Sequence, residues 1–126
     1  MSVTGRRSYS EGDLLRTRPV TPGALQRGAV VVVDDPAKPG RILVKRIIAL
    51  GGDQVELRKG VVYLNGARVD EPYIATTGFP GGDVAPVAVP PDHIYLLGDN
   101  RGASFDSRQF GPVPAEKVKA IVVTDN

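Results

Sequence analysis

The chain has 126 residues, which fits one domain, and its formal net charge of +2 gives no argument for binding nucleic acid. Cysteine is absent and His93 is the only histidine, so a disulfide framework and a cysteine nucleophile are excluded and a histidine-built metal site is implausible. No apolar run approaches the ~18 residues of a membrane span. We therefore expect a single soluble domain over residues 1–126, with no metal and no cofactor.

The first half of the chain predicts short strands joined by tight turns. Residues 1–11 are polar and read as an irregular lead-in, and Asp13-Leu14-Leu15 is a candidate short strand. Alternating and β-branched residues then predict strands over 29–33, 42–50, 54–57 and 61–64. Asn65-Gly66 is the strongest hairpin signal, because both residues tolerate the positive φ angles of a two-residue β-turn.

The second half alternates irregular segments with further short strands. Glycine and proline dominate residues 70–86, which predicts a long and mobile loop. Further strands are predicted over 87–89, 94–97 and 120–124, with at most a short helical turn near 114–118. The expected fold is mainly β, with coiled sheets packed orthogonally or in a barrel-like manner.

Lys45 is the first candidate for chemistry. It lies in a strand whose alternation puts it on one face with Leu43 and Ile47. Burial among apolar side chains disfavours the ammonium form and can make a lysine a general base near neutral pH. The alternative is an edge-strand lysine that limits aggregation.

A polar loop over residues 98–108 is the second candidate. Two acids, two arginines, two serines and an asparagine fall within these 11 residues. Such a loop can form internal ion pairs and still offer a hydroxyl to a neighbouring base, or it can be purely structural. The spacing of its oxygen ligands does not fit an EF-hand calcium site.

Taken together, these segments resemble a known family. The matching stretches are Val44-Lys45-Arg46-Ile47-Ile48-Ala49-Leu50-Gly51-Gly52-Asp53, Val55-Glu56-Leu57, Val61-Val62-Tyr63-Leu64-Asn65-Gly66, Glu71-Pro72-Tyr73, Gly98-Asp99-Asn100-Arg101 with Ser104, Asp106-Ser107-Arg108, and Phe110-Gly111-Pro112-Val113-Pro114. In this order they resemble bacterial signal peptidase I, a family of Ser/Lys-dyad proteases. Gly51 stands where the family usually has proline.

The resemblance implies roles for particular residues. Lys45 matches the general-base lysine, and Ser104 matches the serine that orients it. Two supporting ion pairs are implied, one between Arg46 and Asp99 and the other between Asp106 and Arg108.

The nucleophile is less clear from the sequence. The family carries Ser-Met-x-Pro-Thr-Leu shortly before a Gly-Asp pair, and Gly12-Asp13 fits that pair, but the chain has no methionine after Met1 and no proline before Pro19. Ser8 is the best candidate, with Ser10 and Thr4 as weaker ones, and all three can also be ordinary loop hydroxyls.

The resemblance implies a serine endopeptidase that removes signal peptides from secreted preproteins and acts at the outer face of the cytoplasmic membrane. Because the nucleophile motif is incomplete, we expect impaired activity in this chain. One alternative is a catalytically inactive homologue that binds peptides as a β module. A lysine-dyad self-cleaving repressor domain is weaker, since no helix-turn-helix precedes the β segments. The family's partners are preprotein signal peptides and a membrane surface, with no nucleic acid.

Overall fold

The computed structural model describes residues 16–21, 23–72, 82–99, 101–103 and 105–123. Over these residues the chain forms two antiparallel sheets. Their strands are β1 (Thr17–Arg18), β2 (Val30–Asp34), β3 (Ile42–Leu50), β4 (Gln54–Arg58), β5 (Val61–Leu64), β6 (Ala67–Arg68), β7 (Val84–Ala88), β8 (His93–Leu97), β9 (Val113–Pro114) and β10 (Val118–Val122). The mainly-β prediction is confirmed.

The first sheet has the strand order β1-β10-β2-β3-β8-β9 and carries the candidate base. β2 pairs with β3 so that Val31 lies opposite Lys45 and Val33 lies opposite Leu43. Both valines are fully buried, because β2 contributes Val31 and Val33 to one apolar cluster and its alternate valines to another. β2 is thus buried on both faces, and it provides β3 with a well-packed neighbouring strand.

The second sheet has the order β6-β5-β4-β7 and packs on an apolar cluster that it shares with β3 and β8 of the first sheet. β3 reaches this cluster as well: its register against β8 shifts between Ile47 and Ala49, as in a β-bulge, and the two residues belong to different clusters. The Asn65-Gly66 turn joins β5 to β6 with φ angles of 53° and 87°, as the hairpin signal predicts.

Asp53, in the turn between β3 and β4, contacts three separate parts of the chain. Its carboxylate accepts hydrogen bonds from Arg27 Nε at 3.0 Å, from the backbone N–H of Leu50 at 2.8 Å and from Asn65 Nδ2 at 3.1 Å. Arg27 precedes β2, whereas Asn65 lies in the hairpin of the second sheet. This network therefore ties the two sheets together.

Four sequence predictions need correction. The described sheets remain open and close no barrel. β7 begins at Val84 and not at residue 87, since an edge strand tolerates a proline such as Pro86, so residues 84–86 do not belong to the predicted loop. The last strand is β10, Val118–Val122, because it pairs with β2 through Val118. The candidate strand at Asp13 and residues 73–81 of the predicted loop lie outside the described residues.

The fourth correction concerns helical turns. The expected turn near 114–118 is present at Ala115–Lys117, but a 3₁₀ turn at Arg101–Ala103 and a short helix, α1 (Ser107–Phe110), were not predicted. α1 starts with a capping box, in which the Asp106 side chain accepts from the first turn and the Gln109 side chain accepts from the Asp106 N–H at 2.9 Å. These local bonds stabilise a helix too short to show apolar periodicity.

Candidate active site

Lys45 lies in the middle of β3, half-buried between the buried side chains of Leu43 and Ile47. The pKa of its amine is lowered, chiefly because burial removes water from the ammonium form. Asp106 opposes this shift and Arg108 adds to it. A lysine in this position is therefore easier to deprotonate than one in solution.

Asp106 is fully buried at the start of α1 and organises the loop beside the lysine. Its carboxylate accepts from Gly98 N at 2.9 Å and from the Nε and Nη2 atoms of Arg108, both at 2.9 Å. The bond to Gly98 fixes the loop to the end of β8. The two-point contact with Arg108 keeps the buried carboxylate paired with a positive charge.

Arg46 and Asp99 form the other ion pair that the resemblance implies. The guanidinium donates from Nε at 3.0 Å and from Nη2 at 2.7 Å to the two carboxylate oxygens, and from Nη1 to the carbonyl of Gly28 at 2.8 Å. Since Arg46 follows Lys45 in β3, this pair lies on the opposite face of the strand. It connects β3 to the chain just after β8.

A third ion pair was not anticipated from the sequence. Arg101 donates from Nη1 and Nη2 to the two oxygens of Glu71 at 3.1 and 2.8 Å, and each side chain is 3% exposed. The charges of the polar loop gave one indication of this pair. Once Asp99 is paired with Arg46 and Asp106 with Arg108, the loop holds no further acid for Arg101. Nothing in the local sequence identifies Glu71, 30 residues away, as the partner.

The hydroxyl candidates Ser8, Ser10, Thr4 and Ser104 lie outside the described residues. Ser107 is described and buried, but its Oγ accepts from the backbone N–H of Leu96 at 2.9 Å and so holds α1 against β8. In the described part of the chain, no cluster of three potential metal-binding side chains occurs, and no helix has the length and apolarity to cross a membrane.

The chemical capacity of this arrangement is proton transfer. A half-buried amine with a lowered pKa gives up its proton more readily than a lysine in solution, so it can take a proton from a hydroxyl and return it to a leaving group. The paired charges around it let the polar loop approach the lysine without leaving an uncompensated buried charge.

Comparison with known proteins gives consistent matches. Residues 6–124 match the family described as signal peptidase, peptidase S26. The chain is 44% identical over 98 residues to a probable signal peptidase I-2 of Synechocystis sp., covering 74% of this chain and 44% of that protein. It is 41% identical over 95 residues to signal peptidase I S of Bacillus subtilis, covering 68% of this chain and 50% of that protein.

A solved structure is also similar. Signal peptidase I from Enterococcus faecalis V583 superposes with a TM-score of 0.70 at 30% sequence identity, covering 79% of this chain and 97% of that chain. The chain spans about half the length of the curated relatives that it matches, at 44% and 50% of the two described above.

Proposed function

The chain belongs to the signal peptidase family of peptidase S26, and on that premise we propose that it is a serine endopeptidase that removes signal peptides from secreted preproteins. The observation that carries the proposal is Lys45, a half-buried lysine in the middle of β3 whose pKa is lowered by burial and modified by the charges of the Asp106–Arg108 pair. The family match supplies the reaction class that such a base would serve.

In the proposed reaction, a serine hydroxyl attacks the carbonyl carbon of the scissile peptide bond while the neutral amine of Lys45 takes the hydroxyl proton. Local N–H or hydroxyl donors hold the negative oxygen of the tetrahedral intermediate. The carbon–nitrogen bond then breaks as the lysine ammonium returns the proton to the leaving amine. Water, deprotonated by the same lysine, then attacks the remaining ester, and the lysine ammonium returns that proton to the serine oxygen as the acyl–oxygen bond breaks.

We assign Ser8 as the nucleophile and Ser104 as the residue that orients Lys45, on the strength of the family's motifs. Arg46–Asp99 and Asp106–Arg108 would hold the two ends of the polar loop. The substrates would be preproteins whose signal peptides bring them to the outer face of the cytoplasmic membrane, as the family assignment implies. Because the motif around Ser8 is incomplete, we expect slow turnover, below the ~1 s⁻¹ at the low end for typical enzymes.

The test is cleavage of a synthetic signal-peptide substrate by the purified chain, followed by mass spectrometry of the products. Lys45→Met should abolish cleavage, and Ser8→Ala should do the same if Ser8 is the nucleophile. Lys38→Met is the matched control, since Lys38 is an exposed lysine in the turn before β3 and should be dispensable. Cleavage that survives Lys45→Met would overturn the proposed mechanism. Loss with Lys45→Met but not with Ser8→Ala would move the nucleophile to Ser10 or Thr4.

A further inference from the structure

Glu71 and Arg101 form a buried ion pair that the proposed reaction does not use. Removing two charges from water is costly, and such a pair is retained only with good geometry and further hydrogen bonds. Both conditions hold here: the contact is two-pointed, and Arg101 Nε also donates to the carbonyl of Gly98 at 2.6 Å. Glu71 follows β6 of the second sheet, so the pair joins that sheet to the polar loop of the first.

The pair is connected to the lysine through a short series of direct hydrogen bonds. The backbone carbonyl of Arg101 accepts from Arg108 Nη1 at 2.9 Å. The remaining donors of Arg108 bind both oxygens of Asp106. Asp106 is in turn the largest source of charge acting on Lys45. Each member of the series is held by the one before it.

We propose that Glu71 is a positioning residue for Lys45: it fixes Arg101, whose carbonyl orients Arg108, which in turn sets the Asp106 carboxylate beside the lysine. The inference rests on the proposed role of Lys45 as the general base. It adds a residue from the segment that follows β6 to a site built on the first sheet.

A substitution that conserves the charge separates positioning from simple electrostatics. The charged groups that act on Lys45 are Asp106 and Arg108 of the polar loop and, more weakly, Asp35 and Arg41 of the turn between β2 and β3, while burial lowers its pKa most. Losing the negative charge of Glu71 would lower that pKa by direct interaction alone. A variant that keeps the charge but loses the two-point contact changes the pKa only if the Asp106 carboxylate or the burial of the lysine is disturbed.

The experiment is the titration of Lys45 in Glu71→Asp, which keeps the charge on a shorter side chain, followed by NMR of side-chain-labelled lysines in the full chain. The exposed lysines serve as internal references; they are Lys38, Lys59, Lys117 and Lys119. We expect the Lys45 midpoint to move while the references stay in place, because both the Asp106 charge and the burial of the lysine depend on the loop. Where the chain cleaves its substrate, kcat should fall by ~100-fold with little change in KM, as for a small displacement of a catalytic group.

Asp53→Asn is the matched control, because it breaks another ion pair between the sheets without touching the polar loop, and it should leave the Lys45 midpoint unchanged. An unchanged midpoint in folded Glu71→Asp overturns the proposal. If that variant does not fold, Arg101→Lys is read in the same way, since it keeps the charge but loses the two-point contact. If neither variant folds, the pair is a folding requirement and the positioning role is wrong. A shifted midpoint in a chain that cleaves nothing would reject the peptidase function and leave the positioning intact.

Discussion

Replacing Asp53 with asparagine tests how the two sheets are held together. The pKa of Asp53 is lowered from 3.8 to about 2, chiefly by the hydrogen bonds from Arg27, with smaller contributions from the Leu50 N–H and Asn65. Asparagine can still accept from the backbone but carries no charge to pair with Arg27. The variant therefore isolates the ionic part of the network.

The size of the effect follows from the pKa shift. Each pKa unit corresponds to 1.36 kcal/mol, so a shift of nearly two units sets a ceiling of ~2.5 kcal/mol on the free energy of unfolding. The side chain of Arg27 is 51% exposed, and water screens its charge. We therefore expect Asp53→Asn to lower the free energy of unfolding by about 1–2 kcal/mol at pH 7.

The pH dependence gives the sharper check. Because the folded pKa of Asp53 lies below its unfolded value, its ionic contribution is fully present above about pH 4 and is lost as the pH falls through about 2. Urea unfolding of the native chain and of Asp53→Asn should accordingly differ at pH 7 and converge near pH 2. Asp92→Asn is the control, because Asp92 is exposed and its φ of 61° suits asparagine.

Two results would refute this reasoning. A difference between the two proteins that is as large at pH 2 as at pH 7 would mean that shape, and not charge, stabilises the junction. A difference below ~0.5 kcal/mol at pH 7 would place Asp53→Asn among ordinary surface substitutions.

Two further predictions concern packing. Gly51→Ala should lower the free energy of unfolding by about 1–3 kcal/mol in urea titrations, because a Cβ there would lie 2.8 Å from the carbonyl oxygen of Pro90; a neutral result would show that the 90–91 turn yields freely. Tyr95→Phe should raise the free energy of unfolding by about 1 kcal/mol, since the buried Tyr95 hydroxyl finds no hydrogen-bond partner within the described structure; a loss of similar size would contradict this. In the native chain, burial raises the pKa of Tyr95 to about 12, so its absorbance should titrate later than that of an exposed tyrosine.

The sequence predicted the elements whose signals are local. The alternation over Ile42–Leu50 and the Asn65-Gly66 turn each specify their own geometry, and both occur as predicted. The two-residue strands β1 and β9 were missed, because they exist only through pairing with β10 and β8. Residues 84–86 were not predicted as a strand, because a proline such as Pro86 argues against a central strand. A proline is tolerated in an edge strand, which is the position of β7.

The candidate site likewise combines residues that the sequence predicted with one that it could not. Alternation placed Lys45 among apolar neighbours, and the resemblance to a family named two ion pairs whose atoms lie within hydrogen-bond distance in the structure. Glu71 could not be chosen from the sequence. Arg101 meets Glu71 only because the fold brings the segment after β6 against the polar loop, and this depends on contacts between residues far apart in the chain.

The pairing of β1 with β10 has a consequence for when the molecule becomes complete. Among the described strands, β1 lies at the edge of the first sheet and pairs with β10, with Thr17 opposite Val122. During synthesis β1 emerges from the ribosome long before its partner, and at 5–20 residues per second the ~100 intervening residues take roughly 5–20 s. Among the described strands, this edge of the first sheet can therefore form only after β10 has been made, whereas the β2–β3 pair that carries Lys45 is made much earlier.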